Sequence, residues 1–155
     1  IAISGDMKLN LLYESLSMNG GSNTSFVRQP ALDYFVSTNV SVGGLVGIER
    51  NPEYPGHSTL ISIGPRVGYN INIGSAASLW IRLSLTYSHL SYADTNGNGS
   101  GWAIPLELYA PFLWHPVPHF FIGAGPFLRT DLVAKFRGDD ISKRTDIGLS
   151  STLGG

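Results

Sequence analysis

Long stretches of this sequence alternate apolar and polar residues with a period of two. The apolar face of residues 79–88 is formed by Leu79, Ile81, Leu83, Leu85 and Tyr87. The opposite face carries Trp80, Arg82, Ser84, Thr86 and Ser88. Alternation over this length indicates β-strands with one apolar and one polar face.

Eight segments of this kind follow one another along the chain. They are residues 5–17, 25–37, 39–50, 58–73, 78–92, 101–114, 119–136 and 142–153. Most exceed the usual strand of about 5–6 residues and reach the roughly 9–11 residues that a tilted membrane strand needs. Three connections are short, at residues 38–39, 74–77 and 115–118. The other four are longer and polar, at residues 18–24, 51–57, 93–100 and 137–141. This alternation of loop lengths is typical of outer-membrane β-barrels.

A helical membrane span is excluded by proline. Residues 108–128 carry no Lys, Arg, Asp or Glu, and a stretch of this length could cross a bilayer as a helix. The same stretch contains Pro111, Pro116, Pro118 and Pro126. Each proline inside a helix costs about 3 kcal/mol, so the stretch is predicted to form two strands joined by a turn at residues 115–118.

Composition removes several classes of function. The 10 Lys and Arg residues are balanced by 11 Asp and Glu residues, which argues against a basic nucleic-acid binder. There are no cysteines, so disulfide frameworks and thiol catalysis are excluded. Charged residues make up only 14% of the chain, below the roughly 25% of soluble domains. A length of 155 residues predicts one domain, residues 1–155.

The polar face collects the charged side chains. They are Asp6, Lys8, Glu14, Asp33, Glu49, Arg66, Arg82, Glu107, Arg129, Asp131 and Asp146. Glycines crowd the same face, which suits the narrow interior of an eight-stranded barrel better than a solvated surface. Because an unpaired charge in a narrow lumen costs several kcal/mol, we predict an ion-pair network there. Its predicted members are Lys8, Glu14, Glu49, Arg66, Arg82, Glu107, Arg129 and Asp131.

Aromatic residues cluster at both ends of the apolar face. Near the short turns these are Tyr34, Tyr69, Phe112, Trp114 and Phe120. Near the long loops these are Tyr13, Phe26, Tyr87 and Trp102. Two aromatic girdles around an aliphatic band mark the two membrane interfaces. The sequence therefore predicts apolar side chains directed toward lipid.

Three segments resemble the small outer-membrane β-barrel family that includes the transmembrane domain of outer-membrane protein A. Residues 29–44 read QPALDYFVSTNVSVGG, residues 62–69 read SIGPRVGY, and residues 122–126 read IGAGP. The resemblance implies eight antiparallel up-and-down strands with short periplasmic turns and longer extracellular loops. It also implies the outer membrane of a Gram-negative bacterium. The implied partners are outer-membrane lipids, lipopolysaccharide, the barrel-assembly machinery and other envelope proteins. Family members end in an aromatic residue that the assembly machinery reads, whereas this sequence ends at Gly155, so we expect either an incomplete C-terminal end or an unusual recognition signal.

Three local motifs suggest other functions. His89 and Ser91 resemble the His-x-Ser pair of the outer-membrane lipid A deacylases, although Tyr92 stands where that family has Asn. Asp94, Asn96 and Asn98 match the first half of a calcium loop, but Pro105 replaces the required glutamate. Residues 137–139 read Arg-Gly-Asp, an adhesive tripeptide that a charged turn also produces by chance.

The interpretation that unites these patterns is a structural, anchoring barrel of the outer membrane, alone or as a subunit of a larger envelope complex. We expect a lumen filled by side chains, no wide pore, no enzymatic activity and no cofactor. Two alternatives remain open from sequence. One is a lipid A-directed hydrolase that uses His89 and Ser91. The other is a soluble lipocalin-like barrel, which requires apolar residues inside and charges outside.

Overall fold

The computed structural model describes the backbone of residues 2–11, 24–53, 56–94, 97–136, 139–140 and 145–155. Side chains are described for residues 29–49, 58–91, 99–135, 139 and 145–155. Within these ranges no helix is long and apolar enough to span a membrane.

The described chain consists almost entirely of β-strand. Its segments are β1 (Ala2–Leu11), β2 (Thr24–Phe35), β3 (Val40–Glu53), β4 (Gly56–Asn72), β5 (Ala77–Leu85), β6 (Tyr87–Asp94), β7 (Gly97–Tyr109), β8 (Phe112–Val117), β9 (Phe120–Phe136), β10 (Asp139–Asp140) and β11 (Thr145–Gly154). The first four follow one another as antiparallel hairpins, β1 to β2, β2 to β3 and β3 to β4.

The strand ladder returns to its starting point. β4 pairs with β5 and with β6, which form one barrel strand interrupted at Thr86. β7 and β8 form the next barrel strand, and both pair with β9. β9 pairs with β11, and β11 pairs with β1. Counted this way, the described residues form eight antiparallel barrel strands in which each neighbours the next in sequence, so the predicted fold class is confirmed.

The barrel strand formed by β7 and β8 is interrupted at Ala110 and Pro111, beside Gly125. Proline has no backbone N–H, so Pro111, which stands between the end of β7 and the start of β8, cannot donate a ladder hydrogen bond. The gap is bridged by the Ala110 N–H, which donates to the Pro126 carbonyl at 3.1 Å. Gly125 lies against Ala110 and Pro111, where a Cβ atom would meet the Ala110 carbonyl oxygen. The absence of a side chain at Gly125 lets the kinked backbone approach its neighbour closely.

A β-bulge near the end of β9 shifts the alternation of inward and outward residues by one position. The register with β7 shifts between Ile104 and Pro105, which pair with Val133 and Asp131, so Leu132 has no partner across the ladder. Leu132 and Val133 are both exposed, although they are consecutive, and the next residue, Ala134, is buried. One extra residue in a strand produces this change of phase.

The two faces of the wall have opposite character. Ile63 is 59% exposed on the outside, whereas Arg66 and Arg82 are 3% and 1% exposed on the inside. β5 shows the alternation directly, because every second residue from Ser78 to Ser84 is buried. The outer face is therefore apolar, and the inner face carries the buried charged and polar side chains together with a few aromatic and aliphatic ones. The soluble lipocalin-like alternative requires the reverse and is contradicted.

The strand ends differ in places from the predicted ones. The turn expected at residues 115–118 is tighter, because β8 continues to Val117 and β9 begins at Phe120. The polar stretches 51–57 and 93–100 are largely strand, since β3 reaches Glu53 and β6 reaches Asp94. Polar residues can form strand there because the backbone N–H and C=O groups pair across the ladder whatever side chains they carry. Residues 12–17 of the first predicted segment lie outside the described residues.

Candidate functional site: the filled lumen

An ion pair between Arg66 and Asp33 crosses the interior of the wall. The Arg66 Nε donates to Asp33 Oδ1 at 3.1 Å, and its Nη2 donates to Oδ2 of the same carboxylate. Gly43 lies between them, because it pairs with Asp33 on β2 and with Arg66 on β4. The missing side chain at Gly43 leaves room for the arginine to span two strand spacings, about 10 Å. Both charged groups are buried and held by bidentate geometry.

Arg82 is buried inside the lumen, where its guanidinium contacts two aromatic rings. Its guanidinium carbon lies 4.7 Å from the centroid of the Trp80 ring and 4.5 Å from that of Tyr109. The guanidinium carbon of Arg66 lies 5.7 Å from the same Trp80 ring. Arginine stacks on aromatic faces through its planar charge, and these contacts are stronger where water is excluded. The two arginines and two rings therefore form one packed layer.

This layer reaches the opposite wall through Tyr109. Its hydroxyl donates to the backbone carbonyl of Ser150 on β11 at 2.9 Å. Below the layer, toward the short turns, Trp80 packs with Leu113 and Phe121 in the buried apolar cluster of the lumen. The rings of Trp80 and Phe121 meet edge to face with centroids 5.8 Å apart. Side chains from β2, β4, β5, β7, β8 and β9 and a backbone carbonyl of β11 thus meet across the interior.

Smaller polar side chains line the lumen on the loop side of this layer. The hydroxyls of Ser62 and Ser88 are hydrogen-bonded at 2.8 Å across β4 and β6. Gln29 folds over Gly47, where a Cβ atom would lie 3.1 Å from the Gln29 Cγ. All of these side chains are buried among the described residues except Gly47, which has none.

The remaining charged residues of the predicted network lie at different depths. Glu107 is buried, and the ladder places it directly opposite Arg129. Residues at such paired positions have Cβ atoms about 4.5–5.5 Å apart, within reach of charge pairing. Glu49, Arg129 and Asp131 are half-buried. The side chains of Lys8 and Glu14 lie outside the described residues.

Sequence reasoning assigned the inward arginines correctly to one face but missed their partners. The inward aromatic residues Trp80, Tyr109 and Phe121 were not identified as lumen packing. The alternation pattern contained the signal, because Trp80 stands on the same face as Arg82. What it lacked was the proximity that closure of the barrel creates between strands distant in sequence.

Aromatic side chains ring the outer surface near the short turns. They are Tyr34, Tyr69, Phe112, Trp114 and Phe120, all exposed. Toward the loops, Tyr87 is exposed and its ring stacks on Trp102 with centroids 6.2 Å apart. Tyr13 and the side chain of Phe26 lie outside the described residues. An arrangement of this kind suits the two interfaces of a membrane.

His89 and Ser91 both lie on the outer face of β6. Both are exposed, and the strand rise places residues two apart at roughly 6–7 Å. The buried carboxylate Glu107 faces the lumen, on the opposite side of the wall. It therefore cannot orient the imidazole of His89 in the way that a hydrolase triad requires.

The other two motifs fall largely outside the described side chains. β6 and β7 pair Asp94 with Gly97 and Ala93 with Asn98, which is the arrangement of a hairpin turn. The side chains of Asp94 and Asn98, and all of Asn96, lie outside the described residues, so the calcium interpretation is untested. Of the Arg-Gly-Asp triplet only Asp139 is described, at the start of β10.

The fold matches solved structures over nearly its whole length. Neisserial surface protein A aligns with a TM-score of 0.67 at 15% identity, covering 99% of this chain and 91% of that one. The protein has the fold of the small outer-membrane β-barrels. This outer-membrane barrel also matches the N-terminal barrel of Pseudomonas aeruginosa OprF, with a TM-score of 0.55 at 11% identity and coverage of 99% and 97%. Ail, the attachment invasion locus protein of Yersinia pestis, matches with a TM-score of 0.53 at 15% identity and coverage of 99% and 93%.

These likenesses confirm the fold that the sequence resemblance predicted. No protein-family model and no curated protein sequence matches the chain. The barrel fold and its exposed apolar belt agree with the predicted place in the outer membrane of a Gram-negative bacterium.

Proposed function

We propose that this barrel is a non-conducting anchor of the outer membrane that holds its loops at the cell surface. The observation that carries the proposal is the layer formed by Arg66, Trp80, Arg82 and Tyr109 across the lumen. Eight strands leave an interior that side chains just fill, so a packed layer across it interrupts any aqueous path.

An ion could pass only if this layer came apart. Separating Arg66 from Asp33 would expose two buried charges without compensation, which costs roughly 3–5 kcal/mol. Moving Arg82 aside would also remove its contacts with two rings. Because these groups are contributed by several strands, no single loop movement relieves all of them. The charged residues thus serve to close and stabilise the barrel.

The outer surface supports the anchoring part of the proposal. Aliphatic side chains such as Ile63 and Val67 are about half exposed and would be buried by lipid tails. The closed ladder satisfies the backbone donors and acceptors that hydrocarbon cannot. Expected partners are outer-membrane lipids, lipopolysaccharide and, during insertion, the barrel-assembly machinery. Association with other envelope proteins would then occur through the loops or the outer face. The proposal includes no catalytic step.

Conductance in planar lipid bilayers tests the proposal. Purified, folded barrel inserted into a bilayer should give no large, steady conductance across the physiological range of voltages. A general porin, reconstituted in the same lipid, provides the positive control. Stable, step-like channels from the unmodified protein would overturn the anchor proposal and reassign the inward charges as a selectivity lining.

A further inference from the structure

Two cavities open at the short-turn end of the barrel, and they share a wall. The larger has a volume of about 470 Å³ and the smaller about 190 Å³. Both are lined by His115 and His119. The larger cavity is otherwise lined by Asn72, Ser75 and small or apolar residues of the two turns, and the lining of the smaller includes Trp80 and Phe121.

The imidazole of His115 is held from two sides. Its Nε2 is hydrogen-bonded to the Ser78 hydroxyl at 2.9 Å, and its ring meets Phe121 edge-on with centroids 6.2 Å apart. Ser78 is fully buried, so this contact fixes the ring relative to the wall. When Nε2–H donates to Ser78, the other ring nitrogen carries a lone pair that can bind a ligand.

His119 approaches the same opening from the turn between β8 and β9. It has a φ of 64°, in the left-handed region that glycine occupies freely and that asparagine, aspartate and histidine enter more often than other residues. The turn places His119 in the lining of both cavities.

A third polar group lies in the wall of the smaller cavity. Asn70 donates through Nδ2 to the Asn72 Oδ1 at 3.3 Å. Its own Oδ1 is buried, and no donor in the described part of the chain reaches it. An acceptor in this position is stabilised by a cation or by a donor brought in with a ligand.

We propose that His115 and His119 form a binding site for a divalent transition-metal ion such as Zn²⁺, Ni²⁺ or Cu²⁺. Imidazole nitrogen is a preferred ligand of these ions, and the Asn70 amide oxygen and water complete the coordination. A hydrogen bond from the His115 Nε2–H to the Ser78 hydroxyl is the outer contact that metal-binding histidines usually have. No group of three His, Cys, Asp or Glu residues suited to a metal occurs among the described residues, so the site depends on both imidazoles.

Electron paramagnetic resonance of Cu²⁺ tests the site, because nitrogen couplings count the imidazoles bound. The chain has 4 histidines, so His89→Gln and His57→Gln serve as matched controls. One equivalent of Cu²⁺ added to the detergent-folded barrel should show coupling to two imidazole nitrogens. His115→Gln or His119→Gln should reduce this to one, and the double variant to none. The two control variants should leave the spectrum unchanged.

Zinc binding by calorimetry and imidazole NMR supplies the second readout. Ser78→Ala should weaken Zn²⁺ binding about tenfold by removing the contact that orients His115. In the unmodified protein, Zn²⁺ should shift the ring signals of His115 and His119 together, which needs no variant to fold. A Cu²⁺ spectrum that survives the double variant, one that changes in the controls, or Zn²⁺ shifts confined to one imidazole would each overturn the proposal.

Discussion

Arg66 on β4 reaches over Gly43 on β3 to pair with Asp33 on β2. Three consecutive barrel strands are thereby joined on the lumen side by one side-chain contact in addition to their backbone ladders. The pair is formed by residues 33 positions apart in sequence, and it is buried at both ends. It combines a structural role, fixing the strands, with an electrostatic one, neutralising a cation inside the lumen.

Removal of the carboxylate should be strongly destabilising. Asp33→Ala leaves the buried Arg66 guanidinium without its bidentate partner, and the free energy of unfolding should fall by about 3–5 kcal/mol. The double variant Asp33→Leu with Arg66→Met replaces the pair by apolar groups and should recover much of that loss. Urea unfolding in lipid vesicles, followed by tryptophan fluorescence, measures both. A coupling energy near zero in this double-mutant cycle would contradict the stabilising role of the pair.

Substitution of Trp80, which faces the lumen, and of Trp114, which faces outward, should affect conductance differently. Trp80→Ala removes the ring between Arg66 and Arg82, so we expect a loss of about 3–5 kcal/mol and small leak currents in planar bilayers. Trp114→Ala, on the exposed outer face, should produce no leak current in planar bilayers. Equal conductance in the two variants would show that the aromatic layer does not close the lumen.

Adjacent glycines on β3 offer a matched pair of substitutions. A Cβ atom at Gly43 would meet the Leu32 carbonyl oxygen and would lie 2.7 Å from Asp33 Oδ1, so Gly43→Ala should displace the β2 backbone, disturb the ion pair and cost about 1–3 kcal/mol or more. A Cβ atom at Gly44 would meet only the Gly64 carbonyl oxygen, at 3.5 Å, so Gly44→Ala should be nearly neutral. Thermal unfolding, read from the heat-dependent mobility of the folded barrel on gels, compares them. A reversed order would mean that Arg66 reaches Asp33 by another route.

Side-chain orientation predicts the response of spin labels. Labels at Ile63 and Val67 should be accessible to lipid-soluble oxygen and protected from a polar nickel chelate, because both side chains face outward. A label at Ser62, the inward neighbour of Ile63, should be protected from oxygen. Power-saturation measurements in vesicles give both accessibilities. The opposite pattern would indicate a soluble barrel with an apolar interior.

Substitution of the outward His-x-Ser pair should not alter lipid A. His89→Ala and Ser91→Ala are expected to leave lipid A acylation unchanged in cells, since Glu107 faces away from His89. Mass spectrometry of extracted lipid A provides the measurement, and cells lacking the protein provide the reference. Loss of an acyl chain that depends on both residues would instead establish the hydrolase.

The faces of the strands could be predicted from sequence because alternation depends only on local geometry. Arg82 and Glu107 were assigned to the lumen on that basis, and both are buried. The pairing of Arg66 with Asp33 could not be predicted, because it depends on the register of three strands and on Gly43 between them.

The irregular features of the wall were also beyond the pattern. The break at Thr86 and the turn ending at His119 depend on contacts with neighbouring strands. Thr86 donates its N–H to the Pro105 carbonyl at 3.0 Å, a contact that exists only once the barrel has formed. Local propensity therefore gives the fold class, and tertiary contacts give the site.

The bulge at Leu132 determines which face of the wall the last residues of β9 occupy. Without it, the final residues of β9 would exchange faces, directing Lys135 inward and Ala134 toward lipid. Deletion of Leu132 alone would therefore restore regular alternation and leave Ala134 facing the lumen, whereas deletion of both Leu132 and Val133 would turn Ala134 toward lipid.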